Sequence, residues 1–130
     1  MQTAPMISIV DDDPSVREAI KSLVRSLGYD AVTFCSGEDF LKSGQVKVTA
    51  CLITDVQMPG LSGVELQQRI VADGYRVPVI FVTAFRDEQM RLRMFQAGAI
   101  GCLNKPFCED HLIEHLNVAL KHHGAGSARE

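Results

Sequence analysis

No apolar stretch in this chain approaches membrane-spanning length. Its start, MQTAPM, lacks the basic head and long apolar core of a signal peptide. Together these absences point to a cytoplasmic protein with no membrane partner. Positive charge is not in excess either. A net charge of −3 removes the electrostatic case for nucleic-acid binding by this segment. No two of the four cysteines (Cys35, Cys51, Cys102 and Cys108) form a C-x-x-C pair. Cys51 and Cys102 sit inside apolar runs, so the thiols are expected to be reduced and mostly buried small hydrophobes. There is no low-complexity tract. What remains is 130 residues, 46% hydrophobic and 22% charged, enough for one globular domain with a real core.

Short apolar runs alternate with helical periodicity along the chain. Strands are predicted at 6–10 (MISIV), 31–35 (AVTFC), 50–54 (ACLIT), 77–83 (VPVIFVT) and 99–103 (AIGCL). The helix between the first two begins at Pro14, with Asp13 as its cap, and stops at Gly28. Ser36 caps a short helix to about Lys42, and a loop containing Pro59, Gly60 and Gly63 leads into a helix over 64–72. A fourth helix starts at Asp87 and ends at Gly98, and a fifth opens at Glu109 and Asp110. The tail after Lys121, HHGAGSARE, reads as a flexible end or the start of a linker, which bounds the domain at 1–121 and leaves 122–130 outside it. His122 and His123 suit the end of a helix stopping there. Alternation of this kind argues for a parallel sheet covered by helices on both faces. The continuously apolar CLI and VIFV fit strands buried on both sides.

Ligands of such sheets bind outside the carboxyl ends of the strands, at the topological switch point. The residues there are Asp11 and Asp12 after the first strand, Asp55 after the third, Thr83 after the fourth and Lys105 after the fifth. With strand order 2-1-3-4-5, Asp11, Asp12 and Asp55 converge at the switch point, with Thr83 and Lys105 beside them. Three converging carboxylates repel one another but suit a hard divalent cation such as Mg²⁺. A carboxylate, a metal, a lysine and a hydroxyl are the parts that stabilise phosphoryl transfer, with Asp55 as the nucleophile. His111 and His115 would share a face of the last helix. Without Cys or carboxylate partners the pair reads as a solvated face rather than a metal site.

The segments VDDDPSVR, ITDVQMPGLSG, VTA and NKPF resemble the four signatures of the response-regulator receiver domain, in order and spacing, from about Ile7 to Ala119. The sequence is most similar to receivers of the FixJ/NarL type. That resemblance implies a flavodoxin-like (βα)5 doubly wound parallel sheet. It implies that Asp55 accepts a phosphoryl group from a histidine kinase or phosphotransfer protein. It further implies that Asp12 and Asp55 bind Mg²⁺ directly, Asp11 largely through water, and the backbone carbonyl of Gln57 as well. Thr83 and the Ala84 amide would hold phosphoryl oxygens, and Lys105 would neutralise one of them. The Lys105–Pro106 bond is usually cis in the family. The implied role is a phosphoacceptor signalling domain rather than an enzyme, assisting its own phosphorylation and dephosphorylation.

Two other readings are open. An aspartate-nucleophile phosphatase has similar chemistry but needs a second acid two residues after the nucleophile, where this chain has Gln57. A receiver that serves as a phosphorylation-independent protein-binding module is the other. The output expected by resemblance is a transcription regulator, with any DNA-binding domain lying beyond this segment. Leu92, Met94 and Phe95, ringed by Arg86, Arg91 and Arg93, mark the face of the fourth helix, fifth strand and fifth helix as an output or dimer surface. The position three before Lys105 is Cys102, where receivers usually carry Tyr or Phe. The switch is therefore expected either to couple weakly or to use Phe85 instead.

Overall fold

The computed structural model describes residues 4–84, 88–96, 98–105 and 107–128. Phe85, Arg86, Asp87 and Pro106, and with Pro106 the expected cis bond, lie outside the described residues, as do the side chains of Arg91, Met94, His122 and His123. The elements are β1 (Met6–Val10), α1 (Pro14–Ser26), β2 (Asp30–Phe34), α2 (Gly37–Ser43), a 3₁₀ turn (Gln45–Val48), β3 (Thr49–Asp55), α3 (Gly63–Ala72), β4 (Val79–Thr83), α4 (Glu88–Gln96), β5 (Gly101–Asn104) and α5 (Glu109–Ala128). The strands form one parallel sheet in the order β2-β1-β3-β4-β5, the doubly wound arrangement. No helix among the described residues is long and apolar enough to cross a membrane.

The sheet separates two cores by strict alternation of side chains. Ile7, Ile9, Cys51, Ile53, Ile80, Val82 and Leu103 face Ile20 and Val24 of α1 and Leu112, Leu116 and Ala119 of α5. Leu52, Val79, Phe81 and Cys102 face the other way, against Phe40 of α2 and Leu66 and Ile70 of α3. Every residue of β3 is buried, as a central strand covered on both faces must be.

Register is set at the start of β1. Met6 pairs with Thr49 but Ile7 pairs with Cys51, so Ala50 is accommodated as an irregularity. Beside it, the buried hydroxyls of Ser8 and Thr49 lie 2.7 Å apart. Thr49 donates its proton to the Gln45 carbonyl at 2.6 Å, so Ser8 donates to Thr49. From Ile7 onward the ladder is regular through Val10↔Thr54, which leaves Asp11 and Asp55 level on adjacent strands.

Several boundaries differ from the expectations. β5 starts at Gly101 rather than Ala99, because Gly98 takes φ +101 and the chain is still turning out of α4. The 3₁₀ turn occupies a stretch for which no element is predicted. Helical backbone runs to Ala128 rather than ending at Lys121. Nothing in 122–128 forbids it: the stretch has no proline, and glycine lowers helix propensity by only about 1 kcal/mol. The cysteines divide evenly, Cys51 and Cys102 buried, Cys35 and Cys108 exposed, all as free thiols. Cys35 is exposed because it follows β2, an edge strand none of whose residues is fully buried.

Candidate functional site

Asp11 is the first residue past β1, and its N–H still donates to the Phe34 carbonyl at 3.2 Å. Its carboxylate turns inward and accepts from the Asp13 N–H at 2.9 Å. Arg17, one turn into α1, donates its Nη1 to the Asp11 carbonyl at 2.7 Å. The chain can then start a helix at once. Asp13 caps it by accepting from the Ser15 N–H at 2.9 Å, and Pro14 occupies the first helical position. Of the three adjacent acids, then, Asp13 serves the helix. Asp11 is buried and Asp12 is exposed at the rim.

Asp55 closes β3 and is only 6% exposed. Carboxylate oxygens of Asp11, Asp12 and Asp55 all lie within 4.8 Å of one another, the sole such acidic, histidine or cysteine cluster among the described residues. His111 and His115 form no such group. The His115 ring instead lies against Gly101, where a Cβ would come within 2.5 Å of its Nδ1.

Lys105 is delivered by an extension of the β4/β5 ladder, its N–H donating to the Thr83 carbonyl at 2.8 Å. Its Nζ sits 3.0 Å from Asp11 Oδ2 and 3.2 Å from Asp55 Oδ2, bridging the two buried carboxylates. Burial pushes the Asp55 carboxyl above its ordinary value, and the neighbouring Asp11 charge adds to this, while Lys105 pulls it back. For Lys105 itself, burial works to lower the pKa, but Asp11 and Asp55 together outweigh it and the net direction is upward. Three hard oxygen donors, two of them buried and sharing a single ammonium, are under-neutralised. The donor set fits Mg²⁺, which takes oxygen ligands and usually keeps several waters.

The remaining predicted residues surround this cluster. The Gln57 N–H donates to Asp55 Oδ1 at 3.3 Å, fixing the carboxylate's rotation. Thr83 ends β4 beside β5, buried, and Ala84 follows it at the surface. Cys102 is 3% exposed and packs in the same core as Phe81 and Ala99, so it faces inward under the α4–β5 connection. Phe85 is outside the described residues. A cleft of about 600 Å³ opens beside the site between Val56–Pro59 and Arg93 of α4.

Three supporting residues escaped the reading of strand ends. Gly63 packs so closely on the Asp55 carbonyl oxygen that no Cβ fits, while its N–H donates to the Val56 carbonyl at 2.9 Å. Arg17 and Glu38 hold backbone atoms of the two acidic loops. Of these, only the Gly63 region carries a local signal. Ser62 and Glu65 are spaced as a capping box, and both of its bonds form, at 3.1 and 2.9 Å. Arg17 reaches a carbonyl six residues back and Glu38 an amide 23 residues on, and a bond from a side chain to a backbone atom leaves no residue-type signal in its partner.

A family profile described as the response regulator receiver domain matches residues 7–117. The response regulator protein TodT of Pseudomonas putida is 39% identical over 118 residues, covering 91% of this chain and 52% of TodT. The transcriptional regulatory protein FixJ of Bradyrhizobium diazoefficiens is 31% identical over 121 residues, covering 93% of this chain and 59% of FixJ. A solved structure of the response regulator StyR superposes with TM-score 0.90 at 37% identity, covering 98% of this chain and 64% of StyR. The chain thus spans about half the length of the curated relatives it matches. Sheet order, the acids at the switch point and these likenesses agree, and the chain belongs to the response regulator receiver domain family.

Proposed function

We propose that Asp55 is the phosphoacceptor of a two-component receiver, phosphorylated by a histidine kinase or phosphotransfer protein. The observation that carries this is the buried Asp11–Lys105–Asp55 bridge, with Asp12 at its rim. It gathers a nucleophile, a cation and metal-ligating oxygens at one strand edge. Asp11, Asp12, Asp55 and the Gln57 carbonyl would hold Mg²⁺, which supplies positive charge to the phosphoryl oxygens. An Asp55 oxygen forms the new O–P bond as the P–N bond of the donor phosphohistidine breaks, and the departing imidazole takes up a proton. Lys105 Nζ, the Thr83 hydroxyl and the Ala84 amide then hold the phosphoryl oxygens. The raised pKa of Asp55 favours nucleophilic attack once an ion keeps it ionised.

The readout would pass through Thr83 to the α4–β5–α5 face, with Cys102 and Phe85 at the switch. Leu92 and Phe95 of α4 and Val118 of α5 are exposed at 60%, 44% and 46%, apolar side chains on two elements of that face that suit a homodimer or an output partner. FixJ is named a transcriptional regulatory protein, which supports a transcriptional role. Any DNA contact would belong to a domain other than this one.

The test is intact-mass detection of phosphorylation by acetyl phosphate with Mg²⁺. Wild type should gain one phosphoryl group and Asp55→Asn none. Undiminished labelling of the variant would refute the assignment. A wild type that never labels would leave a receiver that works as a binding module.

A further inference from the structure

We propose that Glu38, on the first turn of α2, is a positioning residue for the Asp55 site, acting through the loop from β3 to α3. The inference rests on reading Asp55 as the phosphoacceptor. That loop carries Gln57, whose N–H donates to Asp55 Oδ1 at 3.3 Å and whose carbonyl is the proposed metal ligand. Its far end is closed by the Gly63 N–H on the Val56 carbonyl and by the Ser62–Glu65 capping box. Between those anchors the loop is tied to another element by Glu38, whose Oε2 accepts from the Leu61 N–H at 3.2 Å across 23 residues of sequence.

Two steric fits surround this bond. Gly60 takes φ +78, and a Cβ there would meet Glu38 Oε2 at 2.5 Å, so the carboxylate lies flat on the loop. Leu61 Cδ2 would come within 3.1 Å of a Cβ at Gly37, so the loop in turn lies flat on α2. An acid in a helix's first turn ordinarily serves the dipole of its own helix. Here it reaches out of the helix and fixes the backbone four residues beyond Gln57. Free to relax, that backbone would misplace both the Gln57 carbonyl and the N–H that orients Asp55.

The test compares wild type, Glu38→Ala and Glu38→Gln by Mg²⁺ titration, acetyl phosphate labelling rate, exchange of the Leu61 amide and thermal midpoint. Supporting groups behind a metal ligand typically change affinity by about 10- to 100-fold, and one loop further out the expected loss in Glu38→Ala is about three- to tenfold. Labelling at subsaturating Mg²⁺ should slow in proportion, and the Leu61 amide should exchange faster. The midpoint should stay close to wild type, because the bond is at the surface. Glu38→Gln retains an accepting oxygen and should restore binding and labelling. Unchanged affinity in Glu38→Ala, beside a wild type that binds Mg²⁺, overturns this inference alone. So does a loss that Glu38→Gln fails to restore. A wild type that neither binds Mg²⁺ nor labels overturns the Asp55 reading and this one with it.

Discussion

Lys105→Met keeps most of the stem and removes the charge that bridges Asp11 and Asp55. At an effective dielectric of about 20, a cation 3.0–3.2 Å from a carboxylate is worth about 5 kcal/mol to each. Desolvation cancels much of that gross attraction. Breaking a fully buried pair nets about 3–5 kcal/mol, and Lys105, whose side chain is 21% exposed, falls below that range. We expect a loss of about 2–3 kcal/mol at pH 7, or roughly 7–11 °C in Tm for a domain of this length. The pH dependence has a definite sign. Asp55 already has a raised pKa through burial, and without Lys105 it rises further. Stability from a group with a raised folded pKa is present below its unfolded pKa and lost as pH climbs through the folded one. The deficit of the variant is therefore full at neutral pH and shrinks as acid protonates Asp55. Millimolar Mg²⁺ supplies positive charge to the same oxygens and should raise the variant's midpoint more than the wild type's. Thermal unfolding followed by circular dichroism at pH 5 and 7, with and without Mg²⁺, reads all three effects. A variant as stable as wild type at pH 7 without metal, or a deficit that grows in acid, would refute the reasoning.

Gly63→Ala forces a Cβ onto the Asp55 carbonyl and to 3.1 Å from the Val56 Cα. Backbone cannot step aside as a side chain does, so urea unfolding should show a loss of about 2–3 kcal/mol, with weaker Mg²⁺ binding. Asp13→Ala removes the cap on the Ser15 N–H and should cost about 1 kcal/mol while leaving acetyl phosphate labelling intact, because Asp13 is outside the carboxylate cluster. Cys102→Tyr places a phenol where the native side chain is 3% exposed, and should lower stability by about 1–3 kcal/mol. A variant of undiminished stability would show that the space under the α4–β5 connection admits an aromatic ring.

The fold was legible because its signals are local. Apolar runs marked each strand, most of them with an Asp, Gly or Pro at one end, and Asp13-Pro14 and Ser36 marked helix starts where caps are found. The acids were legible because the strand order puts the ends of β1 and β3 side by side, and Val10↔Thr54 pairing does so. The Lys105 bridge to Asp11 joins residues 94 apart, and only the common sheet edge hinted at it. Arg17 and Glu38 were invisible because each bonds a backbone atom, which has no residue-type preference to betray it. The exposed thiol of Cys35 was missed for another reason. Cysteine's average burial says nothing about a strand at the sheet's edge. There its thiol donates to Asp39 Oδ2 at 3.1 Å, and Asp39 holds its pKa above the ordinary value.

The irregularity between Met6 and Ile7 makes the far edge of the sheet tolerant of changes in chain length. It absorbs Ala50, and four regular pairs, from Ile7↔Cys51 to Val10↔Thr54, separate it from the acids. A residue gained or lost between α2 and β3 is taken up there, as slack, before it reaches Asp55. The opposite edge has no such slack, since one residue added between Val10 and Asp12 would turn an acid away from its partners. Length variation among descendants of this sequence is expected to collect in the stretch from Ser43 to Thr49. A reporter tag or a split-protein junction placed there would leave Asp11 and Asp55 in register, so the molecule could carry an inserted reporter without disturbing its acidic cluster.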